Sequence, residues 1–526
     1  MGSRAPAAAP GRERPNYKWE VLWVVMLGTL MAALDQSIVN IALPDMMSDF
    51  GCTTEDIEWV VTGYMLSFST LMPLTSWLRD RVGYRNIYLA SLVVFTLGSV
   101  LCGLAWNLPS LVFFRVVQAI GGGAITPTSL AMISEVFPPE ERGQALGYWG
   151  VGVIMGPAFG PTLGGFLTHT VGWRSIFWVN LPIGILGTLL ALSLLRRDAP
   201  HPDQRKPFDF FGFGFLSLFL VSFLLAVSQG EEKGWSSAYI TVCFILSALG
   251  LVGFLVVDSL VEHGIIDFKL FRYPMFAAGS LVIGARSVAL FGGMFLAPIF
   301  MQNVMGFDEV QSGLIMLPGA LLIAVFMPIS GRISDKIGPF YPTLAGLIGV
   351  VAFMALYRGL DADTTVWGLV YPTLIRGVGI GLLIAPVMAA SLNVIPRASA
   401  GMASAVMNLL QQVAGSIGIA VLGTFLDHRT HFHQMALAGR ITELTPAQSQ
   451  VVRDLADQAR LLGLNHAQAH QVGLSALAQQ VATAGAVQGF DDAFLFGAAI
   501  VALGILPAFL LPKHKVGAAK APAALE

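Results

Sequence analysis

Fourteen stretches of about twenty mostly apolar residues run through this chain. They fall near 21–43, 57–77, 86–106, 109–133, 143–168, 174–195, 209–228, 237–257, 275–302, 311–330, 340–357, 366–391, 401–426 and 491–511. A helix of that length crosses the hydrocarbon core of a bilayer. Inside hydrocarbon the backbone must satisfy its own hydrogen bonds, which leaves helices and closed barrels as the only spanning structures. The pattern predicts an all-α polytopic membrane protein with fourteen spans. Charge content fits, since 12% of the 526 residues are Asp, Glu, Lys or Arg, about half the share of a soluble domain.

Lysine and arginine set the orientation, because cytoplasmic loops carry the excess of positive charge. Of the 30 such residues, Arg174, Lys233, Arg358, Arg429, Arg440, Arg453 and Arg460 fall in one set of loops, and Arg115, Arg286 and Arg376 lie inside spans. The rest, among them Arg79, Arg81, Arg85, Arg196, Arg197, Arg332, Lys336 and Lys513, crowd the opposite loops and the tails. This predicts a multi-pass protein of the cell inner membrane with both termini cytoplasmic. No small-residue cleavage site follows the first apolar run, which reads as a retained helix. Three cysteines give no disulfide framework. The absence of G-x-x-x-x-G-K-[ST] speaks against an ATP-driven pump, and no nucleophile–base pair suggests an enzyme. A net charge of −2 gives no reason to expect nucleic acid as a partner. His428, His431 and His433 lie close together, as do His466 and His470, but no cysteine or clear carboxylate completes a metal site. No cofactor is expected.

The chain also repeats itself. Leu78-Arg79-Asp80-Arg81-Val82-Gly83, between the second and third spans, returns between the tenth and eleventh as Gly331-Arg332-Ile333-Ser334-Asp335-Lys336-Ile337-Gly338. Arg115 in the fourth span returns as Arg376 in the twelfth. The spacings, 255 and 261 residues, describe a six-helix unit that occurs twice with two helices inserted between the copies. Two related halves around a central site are a transporter architecture. The expected layout is a tail (1–20), a six-helix bundle (21–196), a linker with two inserted helices (197–258), a second linker (259–274), a second six-helix bundle (275–512) and a tail (513–526). An outer loop, 428–490, interrupts the second bundle. Thr445-Pro446 reads as a helix start and Gly463-Leu464-Asn465 as a stop and a new cap, so a helical hairpin is expected there. Asp80, Arg81 and Gly83, with their counterparts Asp335, Lys336 and Gly338, are candidate gating residues. The carboxylate can bond helix termini and the opposite half, and the glycine permits a tight turn. The first copy has Ser76 where the second has Gly331.

These loops resemble the signature loops of the major facilitator superfamily, and the resemblance covers nearly the whole chain. In the fifth span, the stretch from Gly152 to Gly165 resembles the motif that marks the antiporters of that superfamily. Gly152, Gly156, Gly160 and Gly164 make one face flat enough for a neighbouring helix to approach closely. Pro157 and Pro161 bend the helix and free backbone carbonyls. The resemblance implies that this face seals the cavity against leak; ordinary small-residue packing would use the same glycines. Leu34–Pro44, Gly172–Gly184 and Ile266–Arg272 are similar to segments of the fourteen-helix, EmrB/QacA-type drug:proton antiporters. The two inserted helices and the long outer loop fit that branch. It implies a major facilitator fold of two six-helix bundles plus two inserted helices. It also implies a periplasmic adaptor of the membrane-fusion type docked on the 428–490 loop, with an outer-membrane channel beyond. A solvated insert without a partner is the plainer alternative.

Asp35 is the carboxylate inside the first span. An ionised carboxylate in hydrocarbon costs roughly 2.5–3.5 kcal/mol even on the lenient insertion scale, so the chain must pair, wet or protonate it. Counted at about 1.5 Å per residue, Asp35, Arg115, Arg286 and Arg376 fall in one layer of the outer half. The first and fourth helices line the cavity in the superfamily, which makes Asp35 and Arg115 the expected pair. Pairing favours the ionised carboxylate and desolvation the neutral one, and a group caught between them can exchange a proton. Asn40, Gln118, Asn180, Gln302, Asn408, Gln411 and Gln412 are polar candidates, and Asn40, Gln118, Asn408 and Gln411 are placed in the substrate cavity beside Arg286 and Arg376. Met65, Phe291 and Met294 supply soft, adaptable lining.

The reading is a secondary active multidrug exporter working by alternating access. Protons are exchanged for small amphipathic or lipophilic compounds, with Asp35 as the coupling carboxylate beside Arg115. One acid against three arginines leans towards neutral or anionic substrates. The alternatives are a proton-coupled transporter of a specific metabolite, fatty acid or siderophore-like compound on the same fold, and a membrane scaffold acting through the outer loop. The glycine–proline pattern speaks against an importer, and the buried charges speak against a scaffold.

Overall fold

The computed structural model describes residues 16–197, 207–261, 264–361, 364–396, 399–440, 446–461 and 465–514. In chain order its helices are α1 (Tyr17–Phe50), α2 (Thr54–Ile57), α3 (Trp59–Leu71), α4 (Leu74–Val82), α5 (Tyr84–Gly103), α6 (Leu108–Val136), α7 (Arg142–Val171), α8 (Ser175–Trp178), α9 (Asn180–Leu194), α10 (Phe210–Lys233) and α11 (Ala238–Leu260). Then follow α12 (Pro274–Asn303), α13 (Glu309–Ile337), α14 (Phe340–Tyr357), α15 (Val366–Asn393), α16 (Ala400–Arg440), α17 (Pro446–Leu461), α18 (His466–Leu503) and α19 (Ile505–Ala508). No strand occurs among the described residues. Most of both expected tails and residues 198–206 of the first linker lie outside the described residues.

Thirteen helical runs among the described residues are long and apolar enough to cross a membrane. The second expected span, 57–77, is the one missing from these runs, because it is broken. α3 stops at Leu71 and α4 restarts at Leu74, because Pro73 has no N–H with which to continue the ladder. Local signals set the ends. Asn107 and Ser110 form a reciprocal capping box at the start of α6, and Asp308 and Gln311 do the same for α13. Gly51 closes α1 in the left-handed region at φ 60, where a side chain would be strained.

Packing repeats with the sequence. In the first half α1 packs on α7, α6 and α9, α6 packs on α3 and α5, and α5 packs on α9. In the second half α12 packs on α16, α15 and α18, α15 packs on α13 and α14, and α14 packs on α18. Each contact has its counterpart, so α1 corresponds to α12, α3 to α13, α5 to α14, α6 to α15, α7 to α16 and α9 to α18. The halves meet where α7 lies against α13 and α15, and where α6 lies against α16. The inserted pair α10–α11 leans on α3 from one half and α16 from the other.

Two long helices carry the helical hairpin of the outer loop, which α17 forms with the outer part of α18. α16 has 41 residues and α18 has 38, roughly 60 Å each, about twice the hydrocarbon core. Both membrane helices continue outward without a break, and α17 packs back on α18, with Val452 buried against Gly473. Thr445, Gly463 and Leu464 lie outside the described residues. Asn465 does cap α18, accepting from Gln468 N at 2.9 Å. At the root of the extension Asp492 accepts from Arg429 Nε at 2.6 Å and meets His433 Nε2 at 2.8 Å, tying α16 to α18.

Candidate functional site

Asp35 sits in mid-α1 with 0% of its surface exposed, and Arg115 on α6 has 1%. Burying two charges costs several kcal/mol per ion and is offset only when geometry and remaining hydrogen bonds are good. Here they are. Arg115 Nη1 donates to Asp35 Oδ2 at 2.6 Å. Gln118 Nε2 and Asn180 Nδ2 both donate to Oδ1 at 2.8 Å. Arg115 also donates to Gln118 Oε1 at 2.7 Å and to the Val60 carbonyl at 3.2 Å. Its guanidinium lies 4.1 Å from the centre of the Tyr64 ring, a cation–π contact strengthened by the dry surroundings. Ser99 Oγ accepts from Asn180 at 3.0 Å and donates to the Phe177 carbonyl at 2.8 Å. α6 and α9 thus converge on the α1 carboxylate, with α3, α5 and α8 supporting them from behind.

The glycine face of α7 positions that carboxylate from behind. Gly156 lies so close to α1 that a Cβ there would sit 2.4 Å from Ala33 C and 2.6 Å from Leu34 N. Gly160 lies against Ser37, Gly152 against Met26 and Gly164 against Ile38. The stripe therefore packs the helix turn that carries Asp35. A different part of α7, Gly143 and Gly147, faces α13.

Of the residues expected in the substrate cavity, Gln118 belongs instead to the Asp35 network and is fully buried. Asn408 spends its amide on the Ser404 carbonyl one turn back, at 2.9 Å. Asn40 is exposed, Phe291 is half-buried, and Met65 and Met294 are each 39% exposed. The expected single layer of charges does not form. Gly279 on α12 rests against Ser391 on α15. From that level Arg286 is about 10 Å further towards the outer-loop side and Arg376 about 22 Å. α12 has 30 residues, roughly 45 Å, so its first turns project beyond the hydrocarbon, and a count from Pro274 places Arg286 too far out. Arg286 Nη2 donates to Gln411 Oε1 at 2.6 Å, and its Nε has no partner among the described residues.

The repeated loops differ in what they hold. Asp335 accepts from Gly143 N at 3.1 Å and from Gln144 N at 2.9 Å, so a carboxylate of the second half caps the first turn of α7 in the first half. Arg142 Nη1 donates to Asn393 Oδ1 across the same seam at 2.8 Å. A Cβ at Gly331 would sit 2.0 Å from the Gly143 carbonyl oxygen, so only glycine permits this approach, and the first copy carries Ser76 instead. In that copy Asp80 pairs with its neighbour Arg79 at 3.3 Å, and Arg81 lies over Trp77. Gly83 and Gly338 both turn the chain at positive φ, 80 and 97, and Lys336 is exposed. Charge-assisted bonds at a helix N-terminus are worth about 1–2 kcal/mol. Asp335→Ala is therefore expected to raise the population with this seam open by about tenfold. Spin labels on the adjoining ends of α7 and α13 would read it; an unchanged distance distribution would show that the cap does not hold the seam.

Asp35 and Arg115 were legible from charge inside apolar runs. Asn180 stood out only as one amide among several, and Tyr64 and Ser99 gave no signal, being common residue types in apolar helices.

The family model described as Major Facilitator Superfamily matches residues 25–419. The chain is 32% identical to the uncharacterized MFS-type transporter YhcA of Bacillus subtilis (strain 168), over 96% of this chain and 94% of that protein. It is 31% identical to a multidrug resistance protein B homolog of Mycobacterium tuberculosis (strain ATCC 25618 / H37Rv), over 95% and 91%. It is 29% identical to the multidrug export protein EmrB of Escherichia coli (strain K12), over 91% and 93%. Among solved structures it is similar to the human organic anion transporter MFSD10, with TM-score 0.59, 16% identity and coverage of 93% of this chain and 99% of that one. It is also similar to the proton:xylose symporter XylE, with TM-score 0.60, 15% identity and coverage of 94% and 96%.

Proposed function

The chain belongs to the Major Facilitator Superfamily, and on that premise we propose that it is a multidrug exporter that exchanges protons for amphipathic or lipophilic compounds. The observation that carries this reading is Asp35, a membrane carboxylate with no exposure, held by three side chains from two other helices. A purely structural helix contact gains little from so costly a group. Relatives named for multidrug resistance and multidrug export along nearly the whole chain support the substrate class.

In this reading the side bearing both termini is cytoplasmic and the membrane is the inner membrane. The seam between α7 and α13 then closes the cytoplasmic side, the state from which substrate leaves and a proton arrives. Protonation of Asp35 removes the charge that holds Arg115 Nη1. Arg115 retains Gln118 and the Val60 carbonyl, so α1 and α6 loosen without stranding the guanidinium. Release of the proton to the cytoplasm restores the pair. The Asp335 cap is the device that holds the closed seam, and the glycine stripe keeps α1 seated on α7 through the cycle. The extensions of α16 and α18, rising about 20 Å and about 37 Å beyond their spans, are the surface offered to an adaptor. Purified protein in proteoliposomes, given a pH gradient and a panel of lipophilic cations, neutral compounds and weak acids, tests the reading. Gradient-dependent movement of several unrelated compounds is expected, and movement of none would end it.

A further inference from the structure

The Asp35 site has a counterpart in the second half that lacks its carboxylate. Arg115 on α6 corresponds to Arg376 on α15, and α1, which supplies Asp35, corresponds to α12. The repeat spacings place the Asp35 equivalent between positions 290 and 296, where the sequence reads Leu-Phe-Gly-Gly-Met-Phe-Leu with no acid. The register agrees, since Gly293 touches Phe353 and the Arg376 guanidinium lies 5.5 Å from the centre of the same ring. Where the first half sets Ser99 and Asn180 around its pair, the second sets Phe353, Tyr357 and Phe494, with Tyr357 and Phe494 ring centres 4.7 Å apart. Arg376 is 3% exposed, and its Nε and Nη1, together with the Tyr357 hydroxyl, have no hydrogen-bond partner among the described residues. A buried guanidinium without a counter-ion is an expensive group to keep.

We propose that Arg376 is the anion-binding group of a substrate subsite, which accepts the carboxylate of an aromatic or otherwise lipophilic acid in the place that Asp35 occupies in the first half. Arg376 and the Tyr357 hydroxyl supply donors for the carboxylate, and the aromatic rings supply the surface for an apolar body. A guanidinium binds a carboxylate through parallel N–H bonds. The approach runs past Phe291, which is half-buried, and Met294, which is 39% exposed, both on α12. The two arginine sites then divide the labour, one holding the protein's own acid for proton exchange and one left vacant for the acid that is carried. This inference rests on the export reading above and names its substrate class.

The test uses a matched pair of fluorescent probes, a naphthalene carboxylic acid with an alkyl tail and its primary amide, with the full chain in proteoliposomes under an imposed pH gradient. The wild type is expected to prefer the acid, and Arg376→Gln to lower acid transport by at least tenfold and to bring the ratio of acid to amide transport close to one. Arg376→Lys should recover part of the preference, since charge without the planar fork binds carboxylate less well. In detergent, the acid should raise the Tm of wild type and of Arg376→Lys but not of Arg376→Gln, a readout independent of pumping. Gly293→Asp, which supplies the absent acid internally, should abolish the preference for the acid. Sodium chloride alone serves as the inorganic-anion arm; if chloride reproduces the whole Tm shift and the acid adds nothing, the subsite is not one for substrate. Equal transport of acid and amide by wild type and Arg376→Gln also overturns the proposal and leaves the export reading standing. If the wild type moves neither these probes nor any panel compound, it is the export reading that fails.

Discussion

Asp35→Asn is expected to abolish pH-gradient-driven export while leaving membrane insertion intact. The asparagine keeps the shape of the side chain but cannot take up and release a proton. It also withdraws the carboxylate that Arg115 bonds. Removing one partner of a buried pair typically costs 3–5 kcal/mol, roughly, because the remaining charge stays buried and uncompensated. Gln118 and the Val60 carbonyl still accept from Arg115, and the Tyr64 ring still covers it, so the loss should fall at the lower end of that range. Arg115→Gln should destabilise comparably by stranding Asp35. The double variant Asp35→Asn with Arg115→Gln should be less destabilised than the two single losses summed, as expected for groups in direct contact, and still inactive. Substrate binding in detergent should survive in Asp35→Asn if the residue couples protons and does not hold substrate. Undiminished gradient-driven transport in Asp35→Asn would remove it from proton coupling, and full additivity in the double variant would mean that the 2.6 Å pair carries no net interaction.

The pairing of Asp35 with Arg115 was open to inference because each is a lone charge in an apolar run and both lie at similar depth. Depth failed for Arg286, where the count began at a helix start that projects beyond the hydrocarbon. The fold repeated in space because it repeats in sequence, and the motif around Asp80 and Asp335 announced it. The same comparison exposed Ser76 against Gly331, but only three dimensions gave that difference a meaning, as a backbone contact that one copy can make at Gly143 and the other does not match. Asn180 was visible as an amide, yet nothing in its segment pointed to Asp35, because the two residues are far apart in sequence and meet only when α9 packs on α1. Periodicity likewise shows that α7 has a flat face and cannot say which helix lies on it.

That flat face carries the second large effect. Gly156→Val is expected to reduce export by roughly a hundredfold, the scale associated with displacing a reacting group by about 1 Å. A side chain at this position meets the α1 backbone at Ala33 and Leu34, and backbone, unlike a rotamer, can yield only by moving the whole helix. α1 must then retreat from α7 at the turn immediately before Asp35. Oδ1 and Oδ2 would shift against donors now at 2.6–2.8 Å, and these bonds weaken steeply with distance and angle. Overpacking itself costs about 1–3 kcal/mol, so the protein should still insert, with a lowered Tm. Gly165→Ala is the control within the same stretch, because nothing lies within 4 Å of a Cβ there, and it should leave both export and Tm unchanged. If the stripe acts mainly by sealing a cavity, Gly156→Val should instead leak protons with the network intact. Passive proton flux in substrate-free vesicles separates the cases. A tight, inactive variant supports positioning of Asp35 by the glycine face, and a leaky variant that still exports would refute it.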